Sequence, residues 1–301
     1  MDIPTTPPSR GLKDKVAIVT GAGCEGEGIG NGRAISVMLA DEGCNVLCLD
    51  LNLDWATKTA EMASSAPERG NAVPFTADVT SASDCERAIN VAIEQFGRLD
   101  FLINNVGIGG AAGNAIDVDM SDWAKGLEIN VSSMVQMVKY ALPAMLKNSG
   151  PVKGSIVNIV IEMRHLVTLL RLPGPKTAVS VAGLKEGTPH LLYPTSKGAV
   201  VNMTRAMAAH HAEEGIRVNC VCLGMLHTPM MYANGMSEEA REARRKRSLL
   251  GTEGNGWDAA CAVVFLASDH ARWITGAILP VDAGATAAVG IGMPRSASVN
   301  G

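Results

Sequence analysis

Val16-Ala-Ile-Val-Thr-Gly-Ala-Gly-Cys-Glu-Gly-Glu-Gly-Ile-Gly30 is the stretch whose reading decides the fold. Its first five residues form an apolar run without polar alternation, the pattern of a strand covered on both faces. Glycines follow at once, and then an apolar pattern of helical period over roughly 29–42. Glycine permits a tight turn and a close backbone approach, and a helix N-terminus offers free N–H groups and a positive dipole end. Strand, glycine turn and helix in that order form the context in which a glycine-rich loop holds a pyrophosphate. Gly21, Gly28, Ile29 and Gly30 are therefore candidate cofactor-binding residues.

Working outward, six more strand-like runs follow: Val46–Leu49, Ala72–Phe75, Phe101–Asn104, Ser155–Val160, Val218–Cys222 and Ile278–Val281. Helical stretches fall between them, roughly over 54–66, 81–96, 121–147, 193–213 and 256–268, with Ser121-Asp122 as the expected start of the fourth. Alternation at this spacing predicts a single α/β domain over 13–286, a doubly wound parallel sheet with helices on both faces. Residues 1–12 are expected as a flexible arm and 287–301 as a flexible tail. Residues 161–179 and 225–255 break the alternation. Both follow strand ends, where such sheets bind ligands.

Asp50 ends the second strand, twenty residues past Gly30. A carboxylate there accepts ribose hydroxyls and repels a 2′-phosphate, and Glu27 adds negative charge to the loop. NAD is thus favoured over NADP, while a turn-capping role for Asp50 stays open. Leu51 joins the candidates as its neighbour.

Bulk properties exclude other classes. With 47% hydrophobic residues a large core is available, and a net charge of −4 gives no basic excess for nucleic acid. The run Arg241–Arg247 is interleaved with Glu238, Glu239 and Glu242, which reads as a solvated helix face. No stretch of about 18 apolar residues suggests a membrane span. The N-terminal residues lack the apolar core of a signal peptide, so a cytoplasmic location is expected. The seven cysteines fit no zinc pattern and read as reduced, small apolar residues; no metal is expected.

Tyr193-Pro-Thr-Ser-Lys197 carries the chemistry. Moving a hydride to or from a carbinol carbon requires a proton to leave or join the oxygen. A free tyrosine, with a pKa of about 10, is a poor base near neutrality. A lysine four residues on lies on the same helix face and favours the phenolate. Four further features accompany the pair: Asn104-Asn105-Val106-Gly107 at a strand end, Asn130 in EINVSS, Asp78-Val79, and Thr228 after Leu223-Gly-Met-Leu226-His. Together these resemble the short-chain dehydrogenase/reductase family of the YxxxK type, from about Lys13 to Gly284.

The resemblance implies an oxidoreductase with Asn130, Ser180, Tyr193 and Lys197 as catalytic residues. Lysine also holds the nicotinamide ribose, serine binds the substrate oxygen, and asparagine supports a proton relay. It further implies cofactor contacts at Asp78, Val79, Asn105, Val106, Gly107, Leu226 and Thr228, and assembly as a homotetramer or dimer. The expected substrate is a small alcohol or ketone, enclosed by a methionine-rich lid over 225–255.

The chain departs from the family pattern in three places. The loop from Gly21 to Gly28 is lengthened around Cys24–Glu27, and Leu223 replaces the usual proline. Ile161 follows Asn158-Ile-Val160 where a serine is usual, yet Ser180 lies thirteen residues before Tyr193, the family spacing. Residues 161–179 thus read as an insertion. It is either a flap over the substrate or a translated intron. If it displaces Ser180, the alternative is a nucleotide-binding regulator without activity.

Overall fold

A computed structural model describes residues 5–160, 184, 190–232 and 235–288. Seven parallel strands form one sheet in the order β3-β2-β1-β4-β5-β6-β7. They are β1 (Val16–Thr20), β2 (Asn45–Asp50), β3 (Ala72–Thr76), β4 (Phe101–Asn104), β5 (Gly154–Val160), β6 (Ile216–Leu223) and β7 (Ile278–Val281). The helices are α1 (Asn31–Asp41), α2 (Leu53–Ala63), α3 (Ala82–Phe96), α4 (Met120–Leu127), α5 (Ser133–Met145), α6 (Leu192–His211), α7 (Pro229–Tyr232), α8 (Glu238–Arg245) and α9 (Gly256–Ala267). The expected α/β fold is the one observed, and strand order reverses between β1 and β4.

Alternate residues of each strand serve opposite faces, as a period of two requires. Ala17 and Val19 join the layer packed under α1, α2 and α9, while Val16 and Ile18 join the layer under α3 and α5. Because both faces are covered, inner strands such as β1 and β4 are continuous apolar runs without polar alternation, and this made them readable. Five cysteines fill small gaps in these layers: Cys44 and Cys48 in the first, Cys85 in the second, and Cys220 and Cys222 in a third cluster with Val200 and Val201 of α6. All seven cysteines are free thiols.

Most element ends shift by one to three residues, and two regions depart further from expectation. The helix expected over 121–147 starts one residue sooner, because Asp119 caps it by accepting from the N–H groups of Ser121 and Asp122, both at 2.9 Å. It is also not uniform: Glu128–Ser132 forms a π-helical turn between α4 and α5. The expected loose arm is fastened at its end. Leu12 is buried in the core, Asp269 N donates to Arg10 O at 2.9 Å, and Arg10 pairs with Glu42.

Asp100 ties the lower edge of the sheet together. Its carboxylate accepts from Val16 N (3.0 Å), from Arg98 Nε and Nη2 (2.8 and 2.7 Å) and from Lys15 Nζ (3.3 Å), so the starts of β1 and β4 share one buried anion. Removing a buried, multiply bonded acceptor costs about 1–3 kcal/mol. Asp100→Asn should therefore lower unfolding stability by about 2 kcal/mol; equal urea midpoints for the two proteins would contradict this.

Candidate active site

The glycine loop leaves β1 at the point where strand order reverses, so it opens into the crevice between the carboxyl ends of β1 and β4. Gly21 has φ 61°, the left-handed region that favours glycine. Asn105, just past β4, holds the turn: its Nδ2 donates to Thr20 O (3.2 Å) and Gly21 O (2.9 Å), and its N–H donates to the Thr20 hydroxyl (3.0 Å). Two candidates from different motifs thus become one structure.

Helix α1 begins at Asn31, so the loop extends over residues 21–30. The glycine that decides its closure was not singled out in the sequence. A Cβ on Gly32 would lie 2.0 Å from Gly21 O and 2.9 Å from Ala22 Cα. No side chain fits there, and the first turn of α1 rests directly on the start of the loop. The signal was available in sequence, since Gly30-Asn-Gly32 immediately precedes the apolar pattern of α1.

The lengthened part of the loop is held by Arg33, which is buried although it carries a charge. Its Nη1 donates to Gly28 O (2.6 Å), its Nη2 to Cys24 O (3.2 Å) and its Nε to the Thr59 hydroxyl (3.1 Å). Thr59 in turn donates to Ala22 O (2.9 Å). Loop carbonyls that would face no partner are thereby satisfied from below. Gly28 has φ 123°, and Ile29 and Gly30 lead into the helix.

At the end of β2, Asp50 does two things. One carboxylate oxygen accepts from Gly23 N (2.8 Å), the other from Asn52 N (3.0 Å). The turn-capping role is thus present, and the carboxylate also borders the glycine loop. Leu51 beside it is exposed. Glu27 is exposed and paired with Lys58. Asp78 accepts from the N–H (2.8 Å) and hydroxyl (2.7 Å) of Thr80, and these bonds hold its carboxyl below the ordinary range. Val79 is buried, with its carbonyl accepting from Gln136 Nε2 at 3.2 Å.

Across the crevice, α6 carries Tyr193 and Lys197, both buried, with the lysine Nζ 5.4 Å from the centre of the tyrosine ring. Among the described residues Lys197 Nζ has no hydrogen-bond partner. Burial pushes this ammonium down to about 8. Its Nζ lies 2.8 Å from where a Cβ on Gly107 would be, so the amine occupies the space a side chain there would take. Val106 lines the same loop and packs on the layer beneath α3 and α5.

Asn130 sits inside the π-helical turn. Its Oδ1 accepts from Ile108 N (2.8 Å), and its Nδ2 donates to Ile108 O (2.9 Å) and to the Ser196 hydroxyl (3.1 Å). Ser196 donates to Tyr193 O at 2.7 Å. The hydroxyl of Ser196 therefore links the asparagine to the helix of the tyrosine and lysine, a role that spacing alone did not reveal. A π turn re-aims one side chain within a continuous helix, and such turns recur at functional sites. Ser180 and the inserted residues 161–179 lie outside the described residues.

Beyond β6, Leu226 and Thr228 are buried. Leu226 bridges to Gly254, and His227 N donates to Gly254 O at 2.7 Å, which ties together the two ends of the segment after β6. The solvated-face reading of Arg241–Arg247 needs correction at one residue. Arg241 and Arg245 are exposed and ion-paired, but Arg244 is buried on the inner face of α8. Its Nη2 donates to Leu226 O (3.0 Å), and its Nε lies 3.5 Å from the buried Glu253, which Arg241 also meets at 2.8 Å. A charge run judged by sequence interleaving cannot show which member turns inward.

This arrangement has counterparts in known proteins. A model described as short chain dehydrogenase matches residues 15–163, and one described as enoyl-(acyl carrier protein) reductase matches 163–286. The chain is 34% identical over 277 residues to meso-2,3-butanediol dehydrogenase of Serratia marcescens, covering 92% of this chain and 96% of that one. It is 36% identical over 285 residues to 2-(S)-hydroxypropyl-CoM dehydrogenase 3 of Xanthobacter autotrophicus, covering 93% and 99%. A crystal structure of a short-chain dehydrogenase/reductase from Burkholderia xenovorans superposes with a TM-score of 0.78 at 36% identity, covering 92% and 98%. The chain belongs to the short-chain dehydrogenase/reductase family. Among the described residues no helix is long and apolar enough to cross a membrane.

Two outcomes are expected from the geometry. Gly32→Ala forces a methyl group against Gly21 O and should weaken dinucleotide binding more than tenfold while costing about 1–3 kcal/mol of stability; unchanged binding by fluorescence titration would contradict the contact. Lys197→Met should raise the stability of the cofactor-free protein, on the order of 2–3 kcal/mol, because it removes an unpaired buried ammonium. The folded-state pKa is depressed to about 8 from 10.5, so the cost is fully present below 8 and vanishes as pH rises through 10.5. The difference in unfolding midpoint between the two proteins should narrow over that window. A difference independent of pH would contradict it.

Proposed function

We propose that this chain transfers a hydride between NAD(H) and a small secondary alcohol or ketone, with Tyr193 as acid and base. The observation that carries this reading is the buried Lys197 ammonium, held within 5.4 Å of the Tyr193 ring centre and without a hydrogen-bond partner among the described residues. Leaving a charge unpaired in a core is costly, and such perturbed groups concentrate at functional sites.

The glycine cradle formed by Gly21, whose φ of 61° favours glycine, and Gly32, where a Cβ finds no room, fits a dinucleotide pyrophosphate at the start of α1. Asp50 would receive the adenosine ribose, and its negative charge supports NAD over NADP. Asp78 and Val79 would border the adenine, and Asn105, Val106, Gly107, Leu226 and Thr228 the remainder of the cofactor. When bound, the nicotinamide supplies or accepts the hydride.

The remaining roles belong to this chain. In the oxidising direction the substrate hydroxyl gives its proton to the Tyr193 phenolate as the carbinol hydrogen leaves as hydride; in reduction Tyr193 returns it. The Lys197 charge favours the phenolate, which brings the tyrosine into a useful range near neutrality. Asn130, fixed on three hydrogen bonds, keeps the π turn and the tyrosine helix in register. Ser180 is assigned to the substrate oxygen by its place in the family pattern. Relatives named for butanediol and hydroxypropyl-CoM dehydrogenation support the alcohol or ketone class.

Tyr193→Phe should reduce turnover by about a thousandfold, within the range of acid–base catalysis, while NADH binding changes little. The readout is NADH absorbance over a panel of secondary alcohols and ketones. Undiminished turnover in the variant, or none in the native chain, would refute the assignment.

A further inference from the structure

The glycine loop touches the substrate lid. A Cβ on Gly28 would lie 2.6 Å from the Tyr232 hydroxyl oxygen and 3.0 Å from Pro229 Cγ, so α7 sits directly against the loop. On its other side, a Cβ on Gly256 at the start of α9 would lie 3.0 Å from Ile29 O and 3.1 Å from Gly30 O. The last loop residues before α1 are therefore held between α7 and α9. Arg33 fixes this path through Gly28 O and Cys24 O. The Tyr232 ring is itself held, 4.6 Å from the His227 ring and tilted by 31°. His227 in turn adjoins Thr228 and the Gly254 bridge.

We propose that Tyr232 belongs to the dinucleotide site, where its hydroxyl donates to a pyrophosphate oxygen. The inference rests on the reading of the glycine loop as that site. Three observations support it. The hydroxyl lies beside a loop glycine at the end nearest the α1 N-terminus, the end at which an anion is stabilised. Gly28 has φ 123°, a backbone conformation that favours glycine, and the Tyr232 hydroxyl fills the space a side chain there would take. Finally, the Tyr232 ring lies 4.6 Å from the His227 ring, which keeps the hydroxyl beside the loop. An uncharged phenol suits the place, since it adds a donor without a competing counter-ion.

The test compares the native chain with Tyr232→Phe, which keeps the ring against His227. Dissociation constants are measured by calorimetry for NADH, NADPH, ADP-ribose and adenosine. A hydrogen bond to a charged oxygen predicts that the favoured dinucleotide and ADP-ribose weaken about tenfold in the variant. Adenosine, which lacks the pyrophosphate, should bind as before. Unchanged binding of the dinucleotide and ADP-ribose overturns the proposal while leaving the cofactor reading intact. Equal weakening of all ligands also overturns it, because the ring would then be supporting the loop only. A native chain that binds none of the phosphate-bearing ligands refutes both the cofactor reading and this inference.

Discussion

The contact between Gly32 and Gly21 O is the constraint on which the site depends. It sets how closely α1 approaches the end of β1, and hence where the helix N-terminus points. From that contact the loop must run outward and return to the same helix within residues 21–30. A loop of this length would leave carbonyls without partners, and the buried Arg33 supplies them with donors. Thr59 from α2 completes the support, so β1, α1 and α2 converge on one turn. Asn105 closes it from β4. The crevice is thus fixed by the Gly32 backbone contact and by side-chain hydrogen bonds from Arg33, Thr59 and Asn105 before any ligand is considered, a pre-organisation that lowers the cost of binding.

A second constraint is electrostatic. Lys197 is enclosed with no partner among the described residues, a state that folding alone would disfavour. The surroundings are built around it. Gly107 leaves room for the amine, the Asn130 amide is fully engaged, and Ser196 joins the two sides. On the proposed reading, stability is given up at this point in favour of a charge that would act on Tyr193. The π turn serves the same end, since it directs Asn130 inward while α4 and α5 continue on either side as ordinary helices.

Much of this was legible in the sequence, and the reason is the two-sided burial of the sheet. Strands such as Val16–Thr20 and Phe101–Asn104 are continuous apolar runs, and their limits agree with the structure. Motifs were legible where a residue type has few alternative uses, as with the glycines after β1 and Tyr193 with Lys197. What escaped was determined by three-dimensional contact. Gly32 matters through a carbonyl eleven residues earlier, Arg33 through carbonyls on a turn, and Ser196 through an amide on another helix. Arg244 was misplaced because interleaved charges look alike until one of them turns inward. Asp119 was passed over as a cap because Ser121 and Asp122, both suitable types, follow it. The placement of Ser180 falls outside the described residues, so the relation of serine to tyrosine rests on sequence spacing.

The distribution of thiols carries a practical consequence. Six of the seven cysteines are buried, and Cys261 alone is exposed, on the outer side of α9. The same helix packs against α1 and begins beside the carbonyls of Ile29 and Gly30. The chain thus carries a built-in attachment point for a thiol-reactive dye, with no need to engineer a cysteine-free background. A label there would ride on the helix that abuts the glycine loop, turning an incidental surface thiol into a spectroscopic reporter for that part of the molecule.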